Sequence, residues 1–301
     1  MGVLFGLAAA VSWGSADFVA QFSARRIGAY RTLFFMQIVG LLSGILYVLL
    51  TNPGAALAAV GADLTAHWQL TIFMGGVSGL SMLAFYSALE RGAVSIVAPI
   101  ASSYPALTVL LAYASGERLN PVRLAGVTLA LGGVVLASLA KPSPGAAVGL
   151  LTLGTDTAAA RRFAPGILLA IACALGFGVT YWALGFYAIP AWGAVNTVLI
   201  QRLSTVVWLV AAVVPMRRSL APPRGNGWLL IVVVGFLDAF GFLLSNHGFE
   251  REQVGVITVL GSLFGAVTLM LAYVLLGERL ARRQWFGVGM IFAGILLINF
   301  R

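Results

Sequence analysis

The chain has 301 residues, of which 60% are apolar and only 9% charged, and its mean hydropathy is +1.00. A soluble domain carries about 25% charged residues, so this composition excludes a water-facing surface of ordinary polarity and requires one that faces lipid. The net charge of +9 comes from 17 Arg and one Lys against nine acids. The Arg residues cluster between apolar runs, as at Arg25-Arg26, Arg161-Arg162, Arg217-Arg218 and Arg282-Arg283, which reads as juxtamembrane anchoring rather than a nucleic-acid footprint.

A helix needs about 20 apolar residues to cross about 30 Å of hydrocarbon. Ten candidate segments run over 2–22, 30–51, 68–89, 93–114, 120–140, 164–187, 194–216, 228–249, 253–276 and 283–300. The first lacks a basic leader and a small-residue cleavage site and carries Asp17, so it is expected to be a retained span. It places Trp13, Asp17 and Gln21 at steps of four, on one helical face. The second span contains Gln37, which with Gln201 of the seventh reads as interhelical glue. Tyr86 and Glu90 share a face of the third span, and the fourth holds Pro99, Ser102, Ser103, Tyr104 and Pro105, a set suited to a polar cavity wall with freed carbonyls. Two connectors are long, 51–67 and 141–163, and the second, rich in Gly, Ala, Thr and Pro, reads as a linker between halves. Beyond it come Cys173, Tyr181 and Trp182 in the sixth span, Arg202 in the seventh, and a slanted stripe of Asp238, Asn246 and Glu250 in the eighth.

The two sides of that linker repeat each other. At an offset of 160, Glu90-Arg91 meets Glu250-Arg251, Ser102 meets Ser262, and Leu111-Ala112-Tyr113 meets Leu271-Ala272-Tyr273. One residue later, Gly116-Glu117-Arg118-Leu119 matches Gly277-Glu278-Arg279-Leu280, and Gly126 and Gly133 continue as Gly287 and Gly294. Shared apolar composition produces scattered Leu and Ala matches, not aligned Glu-Arg pairs and two identical charged turns. Duplication is therefore expected, with five-span units over 1–140 and 164–301 joined by the linker 141–163. An odd number of spans sends the second unit into the membrane from the opposite side. Such inverted repeats place a substrate site near the midplane and support alternating access.

The Ala88-Leu89-Glu90-Arg91-Gly92-Ala93-Val94-Ser95 run, Tyr104-Pro105-Ala106-Leu107-Thr108, the two Gly-Glu-Arg-Leu turns and the opening Ser12-Trp13-Gly14 resemble the drug/metabolite transporter superfamily, specifically its EamA-type ten-helix members. The resemblance spans essentially the whole chain. It implies an all-α membrane protein of ten transmembrane helices, as two inverted five-helix repeats about a central cavity. It also implies a secondary transporter of small metabolites, foremost an exporter of amino acids or related compounds, in a bacterial inner membrane. Import of a cationic or aromatic small nutrient is the first alternative, and a non-transporting membrane enzyme or scaffold is the alternative from a different class. Members of this family are drawn with both termini in the cytoplasm. The connectors after odd-numbered spans hold thirteen Lys and Arg against four on the other side, a bias that places both termini outside.

An ionisable group inside a span costs roughly 2.5–3.5 kcal/mol on insertion scales, so it should face a cavity or a partner. Asp238 lies nearest a span centre and reads either as a protonatable or cation-binding carboxylate or as half of an ion pair with Arg202. The candidate substrate-binding set is Trp13, Asp17, Tyr86, Tyr104, Tyr181, Arg202, Asp238 and Asn246, its aromatic members suited to apolar or cationic ligands. Glu90 and Glu250 read as gate or turn-capping groups, and Glu117 and Glu278 as structural carboxylates that bind backbone N–H groups or Arg. His67 and His247 share no metal-ligand spacing with Cys or each other. No phosphate-binding loop, dinucleotide fingerprint or catalytic constellation occurs in the sequence. The expected partners are a small-molecule substrate and the lipid bilayer, with protons as a candidate coupling ion. The chain is expected to act as a monomer, with no cofactor, metal or nucleic acid.

Overall fold

A computed structural model describes residues 1–51, 56–92, 94–138, 166–276 and 282–299. The expected linker 141–163 and the second Gly-Glu-Arg-Leu turn, with Glu278, lie outside the described residues. All regular structure among the described residues is helical: α1 (Gly2–Ile27), α2 (Ala29–Thr51), α3 (Ala56–Ala66), α4 (Trp68–Arg91), α5 (Val94–Ala101), α6 (Pro105–Ala114) and α7 (Pro121–Ser138). After the linker come α8 (Ile167–Ala183), a π-helical turn at Leu184–Ala188, α9 (Ile189–Val213), α10 (Gly227–Phe249), α11 (Val254–Gly261), α12 (Phe264–Leu276) and α13 (Arg282–Asn299). Hydrocarbon offers no partner to a backbone N–H or C=O, and helices satisfy those groups within one segment. Six helical segments among the described residues are long and apolar enough to cross a membrane. Their outer faces carry Leu4, Leu42, Leu50, Leu80, Leu168 and Leu229, all exposed and all suited to lipid.

The regular pattern hides several breaks. The apolar run 93–114 is two helices, interrupted at Ser102-Ser103-Tyr104, where Pro105 brings no N–H to the first turn of α6 and the Ser103 hydroxyl donates to Ile100 O at 2.7 Å. The run 253–276 breaks the same way at Ser262-Leu263, with the Ser262 hydroxyl donating to Val259 O at 2.7 Å. Conversely, the runs 164–187 and 194–216 join into 47 helical residues, Ile167–Val213. At about 1.5 Å per residue that is about 70 Å, more than twice a bilayer's core. The chain turns at Gly193, whose φ of 73° and ψ of 167° favour glycine. The connector 51–67 contains the helix α3.

Glutamates fasten the turns. The N–H of Ala29, just after Gly28 at φ 89°, donates to Glu90 Oε2 at 3.3 Å, and the N–H of Ala194, just after Gly193, donates to Glu250 Oε1 at 2.9 Å. Both expected turn-capping carboxylates thus hold helix starts. Glu117 accepts from the N–H groups of Val254 and Gly255, each at 2.9 Å, which caps α11 from the far side of the linker. Beside it, Arg123 pairs with Glu252 at 2.9 Å and donates to Gln253 Oε1 at 2.9 Å. Burial alone would raise the Glu250 carboxyl, but hydrogen bonds from His247 and Ala194 and the charges of His247 and Arg251 hold it below its ordinary value of 4.5. A depressed carboxylate adds stability above its unfolded value, and loses it as pH falls through the lower folded one. Glu250→Gln is therefore expected to cost about 1 kcal/mol at neutral pH, the scale of a lost cap, and nothing once the wild-type group is protonated. Thermal unfolding of both proteins in detergent across that pH range checks it.

Helices pair across the linker. α1 packs on α10, where the Ser12 hydroxyl donates to Leu237 O at 2.7 Å and the Trp13 indole lies flush on Gly241. α4 packs on α8, with Ser81 against Gly176. α7 and α13 meet at reciprocal glycines, Gly133 against Gly287 O and Gly294 against Gly126 O. The broken spans are tied in alike: the Thr108 hydroxyl donates to Gly178 O at 2.9 Å and that of Thr268 to Gly14 O at 3.0 Å.

Candidate functional site

The middle of α1, α2, α4, α8, α9 and α10 converges on one buried polar cluster. Arg202 and Asp238, 3% and 4% exposed, pair through Nη2 and Oδ2 at 2.7 Å. The Arg202 Nη1 donates to Gln37 Oε1 at 2.6 Å, and the guanidinium sits 5.5 Å from the Phe242 ring centroid. From the residue just before Arg202, Gln201 donates to the Ser78 hydroxyl at 2.8 Å. A small cavity lies between Gln37, Ser78, Gln201 and Arg202 on its polar side and Met82, Val198 and Phe242 on its apolar side. The guanidinium can reach its partners because α2 offers Gly40 there, against which the Arg202 side chain lies closer than any Cβ would allow. Gly40→Val is expected to drive Arg202 off Gln37 and Asp238. Reconstituted protein should retain its helicity by circular dichroism and lose at least 10-fold in transport.

An aromatic wall adjoins the ion pair. Trp13 meets Phe242 and Tyr181 edge-on, with centroids 5.1 and 5.8 Å apart. Tyr181 stacks on Tyr104 at 4.7 Å and lies parallel to Phe242 at 6.3 Å. Such rings gain from edge-to-face and offset contacts beyond the area they bury. Tyr104 OH also donates to Thr258 O at 3.3 Å, which joins the wall to α11.

Asp17 stands one helical turn from Trp13, buried to 9% exposure. No hydrogen-bond donor among the described residues reaches it. Its charge interacts with that of Asp238, and both carboxylates act on Tyr86 and Tyr181. Cys173, buried on α8, is also within reach of the Asp17 charge. Three polar atoms of this region are buried without a partner: Trp13 Nε1, Tyr86 OH and Arg202 Nε. Native proteins leave few such groups, so their concentration here marks the region as more than packing.

Of the eight sequence-derived candidates, Trp13, Tyr104, Tyr181, Arg202 and Asp238 are joined by ring contacts, Phe242 and the ion pair, and the Asp17 and Asp238 charges act on Tyr86. Asn246 stands apart, about two turns further along α10, where its amide donates to Ala194 O at 3.0 Å and braces the Gly193 bend. Three contributors escaped the sequence reading of the site. Gln37 was assigned to helix–helix contact, which it makes, but on the arginine itself. Phe177 and Phe242 carry no polar partner that would separate them from lipid-facing Phe, and only their contacts with Tyr104, Trp13 and Tyr181 place them in the wall.

The family model described as "EamA-like transporter family" matches residues 1–139 and again 164–300, which together cover most of the chain. The chain belongs to the EamA-like transporter family. Among curated proteins, it is 31% identical over 74 residues to the probable 4-amino-4-deoxy-L-arabinose-phosphoundecaprenol flippase subunit ArnE of Pseudomonas fluorescens. That match takes in 25% of this chain and 63% of the relative. A solved crystal structure superimposes with a TM-score of 0.75 at 20% identity, over 99% of this chain and 96% of the other, and shares the fold. In this member of the EamA-like transporter family, the buried cluster offers an ion pair, an unpaired carboxylate and stacked rings in one place.

Proposed function

We propose that the protein is a secondary transporter that moves amino acids or related small metabolites outward across a bacterial inner membrane by alternating access. Ten spans in two inverted halves, 1–140 and 164–301, with 141–163 between them, supply the moving parts. The reciprocal contacts support this reading: Glu90 with Ala29 against Glu250 with Ala194, Thr108 with Gly178 against Thr268 with Gly14, and Gly133 with Gly287 against Gly294 with Gly126. An approximate two-fold axis in the membrane plane generates such pairs, and lets each half take the other's conformation in turn. The observation that carries the site is the Arg202–Asp238 pair set among buried groups without partners. Because the cavity beside it is small, a metabolite enters only when the helix pairs around it separate.

Counterflow of a radiolabelled amino-acid panel in proteoliposomes tests this. Wild-type protein should exchange at least one member, and Asp238→Asn and Trp13→Ala should each lower that exchange. Undiminished exchange in both variants would remove the site from the pathway. A reporter fused to the C-terminus tests the outward placement of the termini that the Lys and Arg distribution supports. Import of a cationic nutrient has one specific observation in its favour, the unpaired Asp17 beside aromatic rings. Accumulation in oriented vesicles separates the two directions.

A further inference from the structure

The two halves also meet at the arginine-rich face of the molecule, the one reached by the connectors after odd-numbered spans. There the connector 214–226 lies against the start of α2. The Arg31 guanidinium donates through Nη2 to Pro222 O at 3.0 Å, and the Tyr30 hydroxyl donates to Leu209 O on α9. In sequence Pro222 is flanked by Arg217, Arg218 and Arg224, and the Arg218 charge acts on Tyr30. Arginines of the first and second halves therefore gather at one seam. None of these four forms an ion pair among the described residues. Glu90, the acid described on this face, instead accepts from the N–H of Ala29. The Nε of Arg31 is buried and has no hydrogen-bond partner among the described residues. Like charges brought together across a seam are unfavourable unless an anion lies between them.

The flanking surface selects the kind of anion. Trp228 meets Phe35 edge-on with centroids 5.3 Å apart, one turn of α2 beyond Arg31. A part-exposed Trp at a span end sits at the level of lipid headgroups. From that contact, Leu42 and Leu46 continue the Arg31–Phe35 stripe along α2, and Val232 and Phe236 follow Trp228 along α10; all four are exposed. A cationic rim thus stands above two apolar stripes.

We propose that this seam binds one anionic phospholipid, whose phosphate bridges Arg31 of the first half and Arg218 and Arg224 of the second while its acyl chains lie along α2 and α10. Arginine forks match phosphate oxygens, and basic pockets between spans hold anionic headgroups. A zwitterionic headgroup brings the same phosphate with a cation attached, which this cluster disfavours. The lipid is not the cargo, because Arg31 stands in the first turn of α2, outside the buried cluster of Arg202 and Asp238.

Quenching of Trp228 by brominated acyl chains tests this, read as the difference between the intact chain and Trp228→Phe in phosphatidylcholine nanodiscs. A minor fraction of brominated phosphatidylglycerol should reach Trp228 about 10-fold more readily than the same fraction of brominated phosphatidylcholine. Arg31→Gln should abolish that preference, and so should Arg218→Gln combined with Arg224→Gln. Arg91→Gln, which removes an exposed cation of the same face, should leave it unchanged. Unfolding temperatures establish that each variant is folded. Equal quenching by the two lipids overturns the proposal, since it leaves only annular lipid. An equal loss from Arg91→Gln also overturns it, in favour of general surface charge. Displacement of the brominated phosphatidylglycerol by inorganic phosphate overturns it as well, because the site would then be one for a free anion.

Discussion

Asp238→Ala should cost about 3–5 kcal/mol of stability, because it strands the Arg202 guanidinium in a buried setting with only Gln37 as partner. The pair's own net contribution is much smaller, since the cost of taking two charges out of water offsets most of their attraction. A double replacement, Arg202→Met with Asp238→Leu, should therefore recover most of the loss measured by thermal unfolding in detergent. Transport should stay at background in single and double variants alike. If the double variant transports, the pair is structural and the site lies elsewhere.

Substitution at the reciprocal glycines is expected to be the next most damaging change. A Cβ at Gly133 would lie 2.6 Å from Gly287 O and 2.8 Å from Ile291 N, and one at Gly294 would lie 2.6 Å from Gly126 O and 2.7 Å from Ala130 N. These neighbours are backbone atoms on an opposing helix, so nothing can swing aside and α7 must move off α13. Gly133→Leu and Gly294→Leu should each cost at least about 1–3 kcal/mol, the usual scale of overpacking. The two losses should be similar, because each glycine occupies the other's position across the pair. Unfolding temperatures compare them directly. A large effect at one position and none at the other would count against an approximate two-fold relation between the halves.

The sequence shows the helices and the capping glutamates more clearly than the bends. Long apolar runs have one good solution in lipid, and the duplicated Glu-Arg and Gly-Glu-Arg-Leu segments point to Glu90, Glu250 and Glu117 as turn residues. The breaks at Ser102-Ser103-Tyr104 and Ser262-Leu263 are harder to see, since Ser and Leu are tolerated in a continuous span. The fusion of the sixth and seventh runs through a π-turn is hidden because Gly193 alone carries the change of direction, and the chain has 36 glycines. Within the site, Asp238 and Arg202 stand out as opposite charges in neighbouring spans. Asp17 is easily taken for an interfacial residue from its late position in the first run. α1 extends to Ile27, so this aspartate is flanked by helix on both sides and covered by α10. Position along a hydropathy plot does not reveal that depth.

The sole cysteine of the chain, Cys173, lies fully buried on α8 within reach of Asp17 and Tyr86. The native sequence is thus already a single-cysteine background for chemical labelling at its centre. A thiol shielded in this closed packing should react with a small maleimide only when α8 parts from its neighbours. The rate of alkylation then becomes a clock for opening, read on unmodified protein and compared across ligands without knowing which of them is carried.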